Sequence, residues 1–307
     1  MIQLNNIGKV YQQTQIKALD GITLTIGSGE LFGLIGPDGA GKTSLFRILA
    51  TLILPDGGSF KINEEDGVRD FEKIRLYTGY MPGRFSLYMD LTVKENLEFF
   101  ATVFNTSIAE NYDYIRDIYH PLEPFAHRRA AQLSGGMKQK LALACALIHK
   151  PKILLLDEPT TGVDPVSRRE FWDILEHLKQ LGITTVVSTP YMDEALRCDR
   201  LALMDQGKIL KLGTPETFMQ DFGADLFALE SGNMYDLLVQ VREHPDLVSC
   251  FAFGSAHHAA FIPGTMDESR LRIWLAARGL AQAQVRRILP GIEDCFMAYL
   301  TRTEAIS

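Results

Sequence analysis

The chain has 307 residues, 46% of them apolar and 22% charged, with a formal net charge of −7; this is ordinary globular composition, long enough for two domains. The acidic balance opposes bulk attraction to nucleic acid or to an anionic membrane, and no apolar run reaches the roughly 18 residues of a membrane span. The N-terminus, MIQLNNIGKVY, lacks the apolar core of a signal peptide, and Cys145, Cys198, Cys250 and Cys295 have no metal-ligand spacing, so they read as buried thiols of a reducing compartment.

The first two thirds of the chain alternate strand-like and helix-like segments. LFGLI, Leu31–Ile35, is a short apolar run of the kind that forms a buried parallel strand. Leu45, Ile48, Leu49 and Leu52 follow with helical spacing. From Thr92 to Ile148 the pattern is mostly helical, which predicts a helical insertion into an α/β core. Further buried strands are expected at KILLL (Lys152–Leu156), TTVVS (Thr184–Ser188) and RLALM (Arg200–Met204). The register changes near Gly213-Thr214-Pro215, and a small second unit is expected from about Gly223. There LFALES is a strand, Tyr235, Leu238 and Val239 give a helix face, and Val248–Phe253 and His258–Ile262 flank a hairpin turn at Gly254-Ser255. Leu271, Trp274 and Leu275 predict another helix, Gln284–Leu289 a last strand, and Ile292, Cys295, Phe296 and Tyr299 a closing helix. The order βαββαβ is a split-βαβ arrangement. His257 and His258 have no third ligand in register and are expected on the hairpin surface.

Directly after the first strand comes GPDGAGKTS. Gly36, Pro37, Asp38, Gly39, Ala40, Gly41, Lys42, Thr43 and Ser44 fit the spacing G-x-x-x-x-G-K-[ST]. Glycines let a backbone wrap closely round a phosphate, and the N–H groups at the start of the following helix supply donors and a positive dipole end. In such a loop Lys42 reaches the β- and γ-phosphates and the Thr43 hydroxyl ligates Mg²⁺. Farther on, KILLLDEPTTG places two acids, Asp157 and Glu158, at the end of a buried strand. Paired acids there need a positive partner. A Mg²⁺ ion held by the phosphate loop meets that need, with Asp157 as its carboxylate and Glu158 as the general base for an attacking water.

Between these motifs lies QLSGGMKQKLALACALI, in which Leu133, Ser134, Gly135, Gly136 and Met137 resemble the signature of ABC ATPases. Ser134 stands where it caps a helix, which Met137, Leu141, Ala144 and Ile148 support. The resemblance covers residues 1–222 and implies an α/β fold: a P-loop NTPase core with an antiparallel β edge and an inserted helical signature subdomain at about 84–148. The small α+β, split-βαβ-like C-terminal domain would occupy 223–307. It further implies ATP and Mg²⁺ as cofactors and a head-to-tail dimer, in which the Ser134 helix of one subunit binds the γ-phosphate held by the other. Tyr11 matches the aromatic residue that stacks on adenine, and Asp164, in Gly162-Val163-Asp164, matches the loop at the dimer interface.

GPDGAGKT, LSGGMKQK and YMDEALRCDRLALM are similar to the exporter branch that pairs with ABC-2-type permeases, and PGIEDCFMAYLT resembles the C-terminal extension of its drug-export group. The implied partners are an ABC-2-type transmembrane permease and a second ABC ATPase, as a homodimer or a heterodimer, with no nucleic acid. The implied place is the cytoplasmic face of the inner (plasma) membrane, as a peripheral subunit. The region near Gly83–Asn96 would carry motion to a permease helix, and FSLYMDLTV, Phe85 to Val93, offers exposed-looking aromatics there. Two positions depart from the family. Gly83 stands where the family has a Gln that touches Mg²⁺ and the attacking water, and Pro190 stands where it has a His that contacts the γ-phosphate. A positioned acid–base group contributes about 10²–10⁴-fold, so the expectation is retained ATP binding with slow hydrolysis. Two other readings stay open: the branch works with Gly and Pro at these positions, with Arg84 supplying charge, or the chain is a non-transport ABC ATPase or nucleotide sensor.

Overall fold

The computed structural model describes residues 1–83 and 87–304; Arg84 and Phe85, named above, lie outside the described residues. The chain divides into two compact units, Met1–Thr214 and Pro215–Ser307.

The first unit opens with β1 (Ile2–Tyr11), β2 (Ile16–Ile26), β3 (Leu31–Ile35), α1 (Lys42–Leu49), β4 (Gly57–Ile62), β5 (Glu65–Asp66), α2 (Phe71–Leu76) and β6 (Thr78–Met81). Helices α3 (Val93–Val103), α4 (Ile108–Tyr119) and α5 (Gly135–Leu147) form the helical insertion. The unit closes with β7 (Ile153–Asp157), α6 (Pro165–Gln180), β8 (Thr184–Ser188), α7 (Met192–Ala195), β9 (Arg200–Asp205) and β10 (Lys208–Gly213). Its strands make two sheets, an antiparallel one in the order β2-β1-β4-β5 and a six-stranded one in the order β10-β9-β3-β8-β7-β6. In the second sheet only β10 runs antiparallel, joined to β9 through Gln206 and Gly207, both with positive φ.

Strands β3, β7 and β8 are buried along their whole length; β3 and the first four residues of β7 are apolar or glycine, while β8 also buries Thr184, Thr185 and Ser188. The core places Leu45, Phe46, Ile48 and Leu49 of α1 with apolar side chains of both sheets, among them Ile7, Phe32, Leu155 and Met204. Helix α1 is shorter than its spacing predicts. It stops at Leu49, Thr51 turns left-handed at φ 57°, and Leu52 is 55% exposed. Capping boxes start the next two long helices, Thr92 with Glu95 on α3 and Ser107 with Glu110 on α4.

The second unit contains α8 (Pro215–Gln220), β11 (Asp225–Glu230), α9 (Met234–Arg242), β12 (Leu247–Phe253), β13 (Ala256–Phe261), α10 (Glu268–Ala276), β14 (Gln284–Ile288) and α11 (Ile292–Glu304). Its strands form an antiparallel sheet in the order β12-β13-β11-β14, the split-βαβ topology. The unit begins before the expected boundary because α8 packs on α11. The Cys295 thiol donates to the Phe218 carbonyl at 3.2 Å, and the Phe218 and Tyr299 rings meet edge on.

Two expectations here are corrected. The inward face of α9 is Leu237 and Val241, whereas Tyr235 is 78% exposed and Val239 lies outside too. Met234, Leu237, Leu238 and Val241 are the true i, i+3, i+4, i+7 stripe, one position out of phase with the predicted one. His257 is buried rather than on the hairpin surface, with Nε2 2.8 Å from the Met234 carbonyl oxygen, and His258 pairs through Nδ1 with Asp294 at 2.7 Å.

Candidate active site

The carboxyl ends of β3, β7 and β8 lie side by side, Leu34 opposite Ser188 and Ser188 opposite Asp157. Ligands of open parallel sheets bind at such ends. From Ile35 the chain enters the glycine loop. Gly36, Gly39 and Gly41 hold φ of 154°, 81° and 102°. A Cβ on Gly36 would lie 2.1 Å from the Met204 carbonyl oxygen, and one on Gly41 2.3 Å from that of Ala18, so these two positions exclude any side chain.

The loop is spanned by its own lysine. Lys42 is buried, and its Nζ donates to the carbonyls of Gly36 at 2.8 Å and Pro37 at 3.1 Å. Pro37 O also accepts from Ala40 N, and the buried Ala40 carbonyl accepts from Gly207 N at 3.0 Å. Helix α1 starts at Lys42 with no side-chain cap on its N-terminus, whereas Ser134, Asp164, Asn233 and Asp267 cap α5, α6, α9 and α10. Its first N–H groups are thus left for an anion. The loop from Asp38 to Ser44 borders an open cleft of about 460 Å³ together with Tyr11, Ile16, Ala18 and Glu158. Tyr11 ends β1, and its hydroxyl lies 3.2 Å from Ser44 Oγ.

Glu158 lines the cleft, and Asp157 directly precedes it. Asp157 ends β7 and is 2% exposed, yet it has no ion-pair partner among the described residues. Its Oδ1 accepts from the Ser188 hydroxyl at 2.9 Å. A buried carboxylate without a counter-ion among the described residues, next to the Glu158 that reaches the phosphate loop, where Thr43 is exposed, fits the oxygen ligands of a hard divalent cation. Glu158 follows in a left-handed conformation, φ 51°, with Oε1 3.6 Å from Lys42 Nζ.

A second network lies beyond β8, and sequence reasoning did not assign it. Glu194 is 3% exposed and accepts from Thr160 Oγ1 at 2.9 Å, from Thr189 Oγ1 and from Arg168 Nε at 2.8 Å. The Arg168 guanidinium also lies 3.7 Å over the Tyr191 ring. Glu194 therefore ties the turn after Glu158 to the turn that holds Pro190. Pro190 itself is exposed. Position 83 stands beside the first acid, since a Cβ on Gly83 would be 3.2 Å from the Asp157 carbonyl oxygen and 3.8 Å from Asp157 Oδ2. Neither Gly83 nor Pro190 brings a functional group to the cleft.

The LSGGM segment is arranged for exposure. Leu133 is buried, Ser134 and Gly135 are exposed, and Ser134 Oγ accepts from Met137 N at 3.3 Å. Gly136 packs so closely on the start of α6 that its Cβ would meet Ser167 Oγ at 2.4 Å. Asp164 caps α6, and hydrogen bonds from Ser167 hold its carboxyl below the usual carboxylate range. Among the described residues no hydrogen bond or ion pair joins Leu133–Met137 to the phosphate loop.

Fold and site together define a P-loop nucleotide-binding cassette. Residues 19–161 match the ABC transporter family, and the chain belongs to the ATP-binding proteins of that family. It is 38% identical over 306 residues to the probable multidrug ABC transporter ATP-binding protein YbhF of Escherichia coli, covering 98% of this chain but 52% of that one, so the chain spans about half the length of that relative. It is 34% identical over 284 residues to the Nod factor export ATP-binding protein I of a Rhizobium species, covering 91% of this chain and 90% of that one. Among solved structures it resembles dimeric MJ0796, a bacterial ABC transporter cassette, at 29% identity and a TM-score of 0.64, covering 70% of this chain and 98% of that one.

Proposed function

We propose that the chain is the ATP-binding subunit of an exporter, working as a head-to-tail dimer at the cytoplasmic face of the inner membrane to drive an ABC-2-type permease. One observation carries the reading. The uncapped phosphate-loop helix and the exposed Ser134 helix start are both suited to anions, yet among the described residues no hydrogen bond or ion pair joins them. A complete site therefore takes one element from each of two chains, identical or not. Lys42 and the first N–H groups of α1 bind the phosphates, the Tyr11 ring packs on adenine, and Ser134, Gly135 and Gly136 of the facing subunit meet the γ-phosphate. Glu158 takes the proton of the attacking water. Thr43 and Asp157 would hold a Mg²⁺ ion, which when bound would supply neutralisation of phosphate charge.

The permease reading is supported by an apolar groove of about 280 Å³ between the sheet and the helical insertion, lined by residues that include Leu52, Tyr80, Phe100, Phe104 and His149. Phe99 and Val103, each next to a lining residue, are 40% and 58% exposed. Tyr80 lines this groove. Burial and the Asp157 carboxylate raise its hydroxyl to about 12. The relatives named for multidrug transport and for Nod factor export are in keeping with an exporter as well.

ATP binding is retained in this reading and intrinsic hydrolysis is slow, because Gly83 and Pro190 contribute no hydrogen-bonding or titratable side chain. Size-exclusion chromatography of Glu158→Gln tests the dimer. Dimers in ATP, monomers without it, and loss of dimers on adding Ser134→Arg support the head-to-tail site. Dimers that ignore both ATP and Ser134→Arg contradict it.

A further inference from the structure

We propose that Ser188 is a positioning residue of the ATPase site, setting the orientation of Asp157 and Glu158 from the neighbouring strand; this rests on the roles given to those two carboxylates above. Ser188 is the last residue of β8, fully buried, and pairs in register with Asp157. Its hydroxyl makes two bonds at once. It accepts from Glu158 N at 2.9 Å and donates to Asp157 Oδ1 at 2.9 Å. A hydroxyl has one proton, and here that proton is committed to Oδ1.

Two consequences follow. Oδ1 already accepts one hydrogen bond, whereas Oδ2 accepts none among the described residues and is the freer Asp157 oxygen for a cation; it is also the one that faces position 83, 3.8 Å from where a Cβ on Gly83 would stand. The bond from Glu158 N also holds that residue in its left-handed conformation at φ 51°, which directs the carboxylate toward Lys42. The Glu194 network differs, since it braces the two turns without touching either carboxylate. The strand end that lacks a functional side chain at Pro190 thus still acts on the site, two residues earlier.

The test uses the full chain with Ser188→Ala and with Ser188→Cys, which preserves volume and weakens the hydrogen bonds if the alanine variant folds poorly. Mn²⁺ binding in the presence of ADP is read by electron paramagnetic resonance. A fluorescent ATP analogue in EDTA reads nucleotide affinity without metal. Outer-partner losses of this type are about 10–100-fold. The expected result is that Mn²⁺ affinity and kcat both fall by about that factor while metal-free nucleotide affinity stays within about twofold. Mn²⁺ affinity and kcat within about twofold of the unsubstituted chain overturn the proposal. So does a parallel loss of metal-free nucleotide binding and melting temperature, which marks a structural role alone. Glu158→Gln is run beside them. If it turns over normally, the assignment of the base fails, independently of Ser188.

Discussion

Lys42 and Glu158 face each other across the phosphate-loop cleft, with Nζ 3.6 Å from Oε1. The lysine that is to hold a phosphate is already beside the carboxylate that is to act on water. Nucleotide must compete with this contact. Glu158→Gln removes a repulsive charge from the phosphate site, and a partly exposed pair of this kind is worth at most about 1 kcal/mol. The expected outcome is a few-fold tighter Kd for ATP together with lost turnover, measured by titration with a fluorescent ATP analogue.

The glycine loop makes a graded prediction. Gly36→Ala and Gly41→Ala drive a methyl group into backbone carbonyls of Met204 and Ala18, whereas Gly39→Ala meets nothing within 4 Å and strains only its left-handed φ of 81°. Gly39→Ala should cost about 1–2 kcal/mol. The other two should cost more, about 1–3 kcal/mol of overpacking on top of the same kind of φ strain, and abolish nucleotide binding. Denaturant melts and ATP titrations of the three variants rank them.

Glu194 is the buried charge on which Thr160, Thr189 and Arg168 converge. Glu194→Ala leaves the Arg168 guanidinium without its buried partner, and breaking one side of such a pair costs about 3–5 kcal/mol. Urea unfolding should show that loss, with Glu194→Gln intermediate because its amide still accepts hydrogen bonds.

His149 supplies a pH dependence. It stacks on Phe104 at 3.7 Å, and burial lowers its pKa from 6.5 to about 4, partly offset by the Thr78 backbone. The unfolded chain therefore binds a proton that the folded chain refuses between those values. Stability from this group is present above 6.5 and is lost as pH falls from 6.5 toward 4, about 2 kcal/mol by pH 5. His149→Phe keeps the stack and removes the proton, so its stability should fall less between pH 7 and pH 5 in urea melts.

Legibility followed burial. β3 and β8 match their expected runs residue for residue, because a strand covered on both faces is rich in apolar and β-branched residues. Helix faces were harder where two apolar phases compete, as in α9, and where a helix ends without a glycine, as α1 does at Leu49. The candidate site was legible where backbone shape demands residue types, in the glycines of the loop and the paired acids. Ser188 and Glu194 were not, since a serine in an apolar run and a second acid after Asp193 look like ordinary surface chemistry until strand pairing brings them beside Asp157 and Arg168. The same holds for Asn96, fully buried and bonded to Tyr88, Leu91 and Thr92.

The most direct test is Mg²⁺-ATP hydrolysis by the purified chain, with ATP binding measured on the same preparation and with Lys42→Ala and Glu158→Gln as controls. The account predicts ATP bound by the unsubstituted chain but lost with Lys42→Ala, and turnover at least tenfold below the usual enzyme median of about 10 s⁻¹. Turnover near that median, abolished by both substitutions, would contradict it and show that Gly83 and Pro190 cost the site nothing.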